Sequence, residues 1–235
     1  MSSLVSVVIP AWNEEQAIEA TLSAVCRSRL LVSQLFGSRV QLIVVDDGSV
    51  DGTRRAALPW ADVVLRLPFN AGKGAALSAG WKAAAGDVVV CLDADLGETA
   101  AHFVKLLEPL MAGSCDMATA RLPAPSVRGG FGLVRRLAGA GAYRLSGYRG
   151  TALLSGQRAI RSELLRRLSR SYSGFGIEVG MTVDAAVLGY RLAEVEVPFR
   201  HRETGRQLRD WMHRGRQFYA VGRTLIDCWR RPICR

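Results

Sequence analysis

Lysine is scarce in this 235-residue chain: it occurs at 73, 82 and 105 and nowhere beyond. Cysteine occurs five times (26, 91, 115, 228 and 234), an odd number without the paired spacing of a structural metal site. That argues against a disulfide framework and predicts reduced thiols in a cytosolic protein. No apolar run approaches the ~20 residues that cross a bilayer. The first apolar run, Leu4 to Ile9, has no basic stretch before it and reads as a first strand rather than a secretory leader. No internal repeat or low-complexity tract is present. A hydrophobic content of 49% excludes global disorder and is enough for one large domain, with or without a C-terminal extension.

The charge is unevenly placed. Residues 1–120 carry 9 Lys+Arg against 13 Asp+Glu, net −4, whereas residues 121–235 carry 22 against 8, net +14. Every basic residue of the second part is arginine, which binds phosphate bidentately and stays charged when partly buried. An acidic half suited to a cation is thus followed by an arginine half suited to phosphates.

Leu4–Ile9, Gln41–Val45, Val63–Leu67 and Asp87–Leu92 are short runs rich in Val, Ile and Leu, which predict buried strands. Between them the patterning predicts helices over Glu14–Ser28, Gly72–Ala85 and Thr99–Met111. Strand alternating with helix implies right-handed crossovers and a mostly parallel sheet, with ligands bound beyond the carboxyl ends of the strands. Polar residues fall at those ends: Asn13-Glu14, Asp46-Asp47, Asn70 to Lys73, and Asp93-Ala94-Asp95. In the second half, helices are predicted near Leu133–Leu145, Arg161–Leu168, Phe175–Leu188 and Gln207–Trp229, with a strand over Arg191–Phe199.

The stretch CLDADLGE, Cys91 to Glu98, ends an apolar run in two aspartates one residue apart. Alternate side chains of an extended segment share a side, so Asp93 and Asp95 can converge on a cation. The same residues also suit a plain turn. Trp12 suits a nucleoside pocket or the core, and Lys73, among small residues in NAGKG, suits a diphosphate or a solvated helix start.

Taken together and in order, VVIPAWNEE (7–15), LIVVDDGSVDGT (42–53), NAGKGAALSAG (70–80) and VVCLDADL (89–96) resemble the family 2 glycosyltransferases of GT-A fold. SGQRAI, GFGIEVGMTVDA and EVPFRHRETGR extend the likeness toward the branch of dolichol-phosphate mannose synthase and other polyprenyl-phosphate glycosyltransferases. The resemblance implies inverting transfer from a UDP- or GDP-sugar with Mg2+ or Mn2+. It implies a nucleotide-sugar site of Pro10, Trp12, Glu14, Asp46, Asp47, Lys73 and Asp93. Asp93 and Asp95 are the expected metal ligands, Asp95 and Glu178 the expected catalytic residues, and Arg121, Arg158, Arg200, Arg202 and Arg206 the expected acceptor or phosphate contacts. The branch often reads DADLQ; Gly97 replaces that glutamine here, which leaves Glu98 as a candidate to join the metal. An α/β domain over 1–206 follows, with a nucleotide-sugar and metal half (1–120) and an acceptor half (121–206), then a basic amphipathic helix (207–235).

In that tail Phe218, Val221, Leu225 and Trp229 share one helical stripe, flanked by Arg214, Arg216, Arg223, Arg230 and Arg231. Such a helix suits peripheral contact with the cytoplasmic membrane face and a lipid-phosphate acceptor, or packing on the domain body or a second subunit. A soluble phosphorylated acceptor would use the arginines without the tail. A nucleotidyltransferase would carry a Gly-rich basic first loop, where IPAWNEE is acidic. A nucleic-acid binder would interleave aromatics with basic residues on a strand.

Overall fold

A computed structural model describes residues 3–122, 132–168, 174–201, 209–231 and 233. Its strands are β1 (Leu4–Ala11), β2 (Arg39–Asp46), β3 (Val63–Arg66), β4 (Val88–Cys91), β5 (Met117–Arg121), β6 (Arg158–Arg161) and β7 (Leu192–Glu196). They form one sheet in the order β3-β2-β1-β4-β6-β5-β7. Helices α1 (Ile18–Arg27), α2 (Arg29–Phe36), α3 (Thr53–Ala57), α4 (Lys73–Ala83), α5 (Val104–Met111), α6 (Gly132–Ser146), α7 (Ser162–Arg167), α8 (Ile177–Val187) and α9 (Arg209–Arg230) surround it.

The four Val/Ile/Leu runs of the first half form β1 to β4, and β1 pairs in parallel with β2 and β4, as β2 does with β3. Apolar side chains leave both faces of these strands, so both faces need cover. Val5, Val7 and Ile9 of β1 pack toward α1 and α5, and Val8 packs with Ile43, Val45 and Leu77 on the α4 side.

The second half departs from simple alternation. β6 is antiparallel to β4 and to β5, with Cys91 opposite Arg158 and Thr119 opposite Arg158, and β7 returns parallel to β5. Antiparallel pairing puts the entry to β6 beside the exit of β4, so residues 150–157 arrive at the edge where the parallel strands end. β5 was not among the predicted strands: MATAR carries one β-branched residue, and its strand state comes from its two neighbours.

Two helical expectations are corrected. The segment 14–28 is not one helix: residues 14–17 form a turn closed by the Ala17 and Ile18 N–H groups on the Glu14 carbonyl, and α1 begins at Ile18. The predicted helix at 99–111 starts as a 3-10 stretch, Gly97–Phe103, before α5.

A third apolar cluster joins α6, α8 and α9 through Val134, Ala138, Val179, Val183, Val221 and Leu225. α9 seats on two glycines. A Cβ at Gly141 would overlap the Leu225 side chain, and one at Gly176 would overlap Thr224 and lie 2.9 Å from the Ala220 carbonyl oxygen. The tail helix therefore packs on the domain body. Its predicted stripe is split: Val221 and Leu225 are buried, but Phe218 and Trp229 are exposed. Phe218, Tyr219, Ile226 and Trp229 form a second apolar stripe within an arc of about 100°, taking 3.6 residues per turn, and all four face solvent.

Candidate active site

The loop after β4 is held by the protein itself. Thr21, fully buried on α1, donates its hydroxyl to the Ala94 carbonyl (2.7 Å) and accepts the Gly97 N–H (2.8 Å). Asp93 and Asp95 thereby project from a fixed turn at the carboxyl edge of the sheet. Across from them the Arg200 N–H bonds the Thr99 hydroxyl (3.1 Å), which places the segment after β7 over the pair. His201 then sets Nδ1 at 2.9 Å from Asp95 Oδ1 and Nε2 at 4.0 Å from Asp93 Oδ2. The hydrogen bond with Asp95 raises the His201 pKa above the ordinary imidazole value, against the opposing effect of burial.

One ligand atom from each of Asp93, Asp95 and His201 lies within 4.8 Å of the others. Two carboxylates and an imidazole converging at that range fit Mn2+ or Mg2+. His201 went unread in the sequence, although it stands in the FRHRE stretch singled out there for its arginines. Glu98 does not join the cluster: it pairs with Arg27 of α1 at the surface. A glutamine does reach the site from elsewhere, since Gln157 Nε2 donates to Asp93 Oδ2 at 2.6 Å.

Lys73, at the start of α4, closes the other side. Its ammonium lies 2.7 Å from Asp93 Oδ1 and 3.3 Å from Glu178 Oε1. Burial works to lower the Lys73 pKa, but the two carboxylates outweigh it and the net shift is upward, so the side chain is a permanent cation. Burial likewise works to raise the Asp93 pKa, and Lys73 overrides it and holds the carboxyl low. Gly156 makes this packing possible, because a Cβ there would overlap Lys73 Nζ and lie 3.4 Å from Asp93 Oδ1.

Other expected site residues serve the frame. Asp47 accepts the N–H groups of Ala71 and Gly72, each at 2.8 Å, and so shapes the loop that presents Lys73. Asp46 is fully buried, accepts the Ser49 N–H at 2.8 Å and faces Arg66 at 3.5 Å. Both carboxylates thus accept backbone N–H groups of the loops at this edge of the sheet. Glu14 holds the following turn, with its N–H on the Thr53 hydroxyl (2.8 Å). Pro10 sits near the end of β1, and Trp12 follows it with half its surface exposed at the same edge.

The expected phosphate arginines separate. Arg158 is corrected: it is 2% exposed, and its guanidinium donates to the Ser155 and Leu153 carbonyls and to the Thr182 hydroxyl, so it faces the interior. Arg121 pairs with Glu196 at the surface, and Arg200 is exposed next to His201. Arg202 and Arg206 lie outside the described residues. A cavity of about 340 Å³ opens between α6 and the 150–154 segment, lined by Arg135, Arg136, Thr151, Leu153 and Leu154 among others. Arg135 and Arg136 were not singled out in the sequence, because nothing local separates them from the other arginines of that half.

Comparison with known proteins follows the same lines. Undecaprenyl-phosphate mannosyltransferase of Micrococcus luteus is 30% identical over 219 residues, covering 86% of this chain and 85% of that protein. Undecaprenyl-phosphate 4-deoxy-4-formamido-L-arabinose transferase of Aeromonas hydrophila is 39% identical over 124 residues, which is half of this chain but only 37% of that protein. Glucosyl-3-phosphoglycerate synthase of Mycobacterium tuberculosis, crystallised with Mn2+, UDP and glucosyl-3-phosphoglycerate, superposes with a TM-score of 0.76 at 29% identity, covering 96% of this chain and 79% of that one. The same enzyme with Mg2+ and UDP superposes equally well, at 28% identity. The seven-stranded sheet with its flanking helices is the GT-A architecture of these structures. Residues 6–170 match the family described as "Glycosyl transferase family 2", and the chain belongs to that family.

Proposed function

We propose that this chain is an inverting, metal-dependent glycosyltransferase that moves a sugar from a UDP-sugar to a phosphate-bearing lipid at a membrane surface. The observation that carries the reaction class is the convergence of Asp93, Asp95 and His201 beside the Lys73 cation. An acceptor oxygen attacks the anomeric carbon, the bond from that carbon to the diphosphate oxygen breaks, and its electron pair leaves with the nucleotide. Asp93, Asp95 and His201 would hold the divalent cation, which when bound neutralises charge on the departing diphosphate. Lys73 adds a fixed positive charge on the same side. Glu178 is 7% exposed and paired with Lys73, an arrangement that favours holding the ammonium over the base role expected of it. A phosphate acceptor is already ionised and needs no general base.

The cavity lined by Arg135, Arg136 and Thr151 supplies the acceptor phosphate site on this reading: two guanidinium groups beside leucines suit a phosphate on an apolar chain. The exposed stripe of Phe218, Tyr219, Ile226 and Trp229 on α9, with Arg223 and Arg230 also exposed, suits the headgroup region of an anionic bilayer. α9 packs on α6, the helix that carries Arg135 and Arg136, so a bilayer under α9 would lie near the cavity. Among the described residues no helix is long and apolar enough to cross a membrane. The relatives named for undecaprenyl phosphate support the lipid acceptor, whereas the synthase named for phosphoglycerate represents the soluble alternative.

The test uses the full chain with Mn2+, a panel of UDP-sugars and GDP-mannose, and undecaprenyl phosphate or 3-phosphoglycerate as acceptor. Lipid product with inverted anomeric configuration is expected. The protein should also sediment with anionic vesicles at low salt, and Phe218→Ser/Trp229→Ser should release it. Turnover of phosphoglycerate alone, with no vesicle binding, overturns the lipid reading.

A further inference from the structure

Residues 150–158 run from the cavity to the donor carboxylates, and each end is pinned by a side chain without a role so far. At the outer end Glu194 of β7 accepts three hydrogen bonds from the segment: the Thr151 N–H (2.6 Å), the Thr151 hydroxyl (2.6 Å) and the Ala152 N–H (2.7 Å). Gly150 lets the carboxylate approach, since a Cβ there would lie 2.8 Å from Glu194 Oε1. At the inner end Arg158 draws in the Ser155 carbonyl at 2.8 Å and the Leu153 carbonyl at 3.0 Å. Its third contact is the Thr182 hydroxyl (2.8 Å), which in turn donates to the Glu178 carbonyl (2.9 Å).

Between the pins, the Ser155 hydroxyl bonds Gln157 Oε1 at 3.1 Å, which turns the amide nitrogen of Gln157 toward Asp93. A fully buried guanidinium spent on backbone carbonyls is costly where only packing is needed, since apolar side chains fill such space as well. Arg158 instead fixes an irregular segment whose outward side chains form the cavity wall, while Gln157 reaches Asp93 and the bare Gly156 leaves room for Lys73.

We infer that residues 150–158 form a strap that sets the acceptor wall against the donor carboxylate Asp93, with Glu194 and Arg158 as its positioning residues. The acceptor half of this inference rests on the phosphate-lipid reading above; the donor half does not. Glu194 governs the wall, Gln157 governs Asp93, and Arg158 governs both.

The three roles predict three different signatures in the full chain with Mn2+ and undecaprenyl phosphate. Glu194→Ala should raise the acceptor KM about tenfold, as loss of hydrogen bonds to a charged group implies, and leave the UDP Kd within twofold. Glu194→Gln, which keeps one acceptor oxygen, should recover part of that loss. Gln157→Leu should raise the UDP Kd and spare the acceptor KM. Arg158→Lys, which keeps the buried charge, should move both.

Arg135→Ala separates the two readings. If it leaves the acceptor KM unchanged, or if undecaprenyl phosphate is not turned over, the cavity is not the phosphate site. The strap then stands or falls on the UDP Kd of Gln157→Leu and Arg158→Lys. If Arg135→Ala raises the acceptor KM and Glu194→Ala does not, or if Glu194→Ala shifts UDP and acceptor equally, the strap is refuted.

Discussion

Adding one methyl group at Gly156 should disable the donor site while leaving the fold intact. The new Cβ would overlap Lys73 Nζ. The backbone of Gly156 is not in the left-handed region, so alanine is tolerated there conformationally. The overlapped atom is the far end of a flexible side chain, so the ammonium gives way rather than the loop. Displacing it breaks the 2.7 Å contact to Asp93 and the 3.3 Å contact to Glu178. These side chains are still a quarter or so exposed, apart from Glu178, so solvent screening discounts the loss to about 1–2 kcal/mol. At 1.4 kcal/mol per factor of ten, the affinity for UDP with Mn2+ should fall roughly five- to thirtyfold.

Stability should fall by at most about 1–1.5 kcal/mol, because the lost contacts are partly offset by about 0.4–1 kcal/mol from a stiffer unfolded chain. Isothermal titration with UDP and Mn2+, paired with a thermal melt, reads both effects. Gly139→Ala is the control: it lies on α6 with nothing within 4 Å of the added carbon, and it should raise the melting temperature slightly without touching UDP binding. A Gly156→Ala protein that binds UDP within twofold of wild type would refute the account of Lys73.

Asp95→Asn should keep the melting temperature and lose most metal-dependent transfer, since a neutral amide is a poorer ligand for a hard cation; full turnover in excess EDTA would remove the cation from the reaction. The side-chain hydrogen bonds from Arg191 hold the Asp116 carboxyl below the usual range, so its stabilisation is present above the unfolded value near pH 3.9 and is lost as pH falls toward the folded one. Urea melts should therefore show Asp116→Asn less stable than wild type at pH 7, with the gap closing below roughly pH 4; a gap that stays constant with pH would refute the pairing. Gly176→Ala should cost about 1–3 kcal/mol by pushing α9 off its seat, and an unchanged urea midpoint would mean that α9 packs elsewhere.

Local pattern was enough for much of this molecule. β1 to β4 were legible because continuous Val/Ile/Leu runs are buried on both faces, and their polar ends named the working edge of the sheet. Asp93 and Asp95 were legible from their spacing at a strand end, although they converge from a turn rather than from an extended segment. The partners of that pair come from far along the chain. His201 reaches Asp95 across 106 residues, and Gln157 reaches Asp93 across 64. Gln157 is there only because β6 pairs antiparallel to β4, and that choice depends on strand neighbours rather than on any short stretch. Burial of charge is equally non-local. Arg158, Arg135 and Arg121 read alike in sequence, yet packing sends the first inward to backbone carbonyls, the second to a cavity and the third to a surface carboxylate. On α9, periodicity told that an apolar face exists. Which part of it α6 and α8 would cover, and which would be left for solvent, was decided by where two glycines let the helix come close.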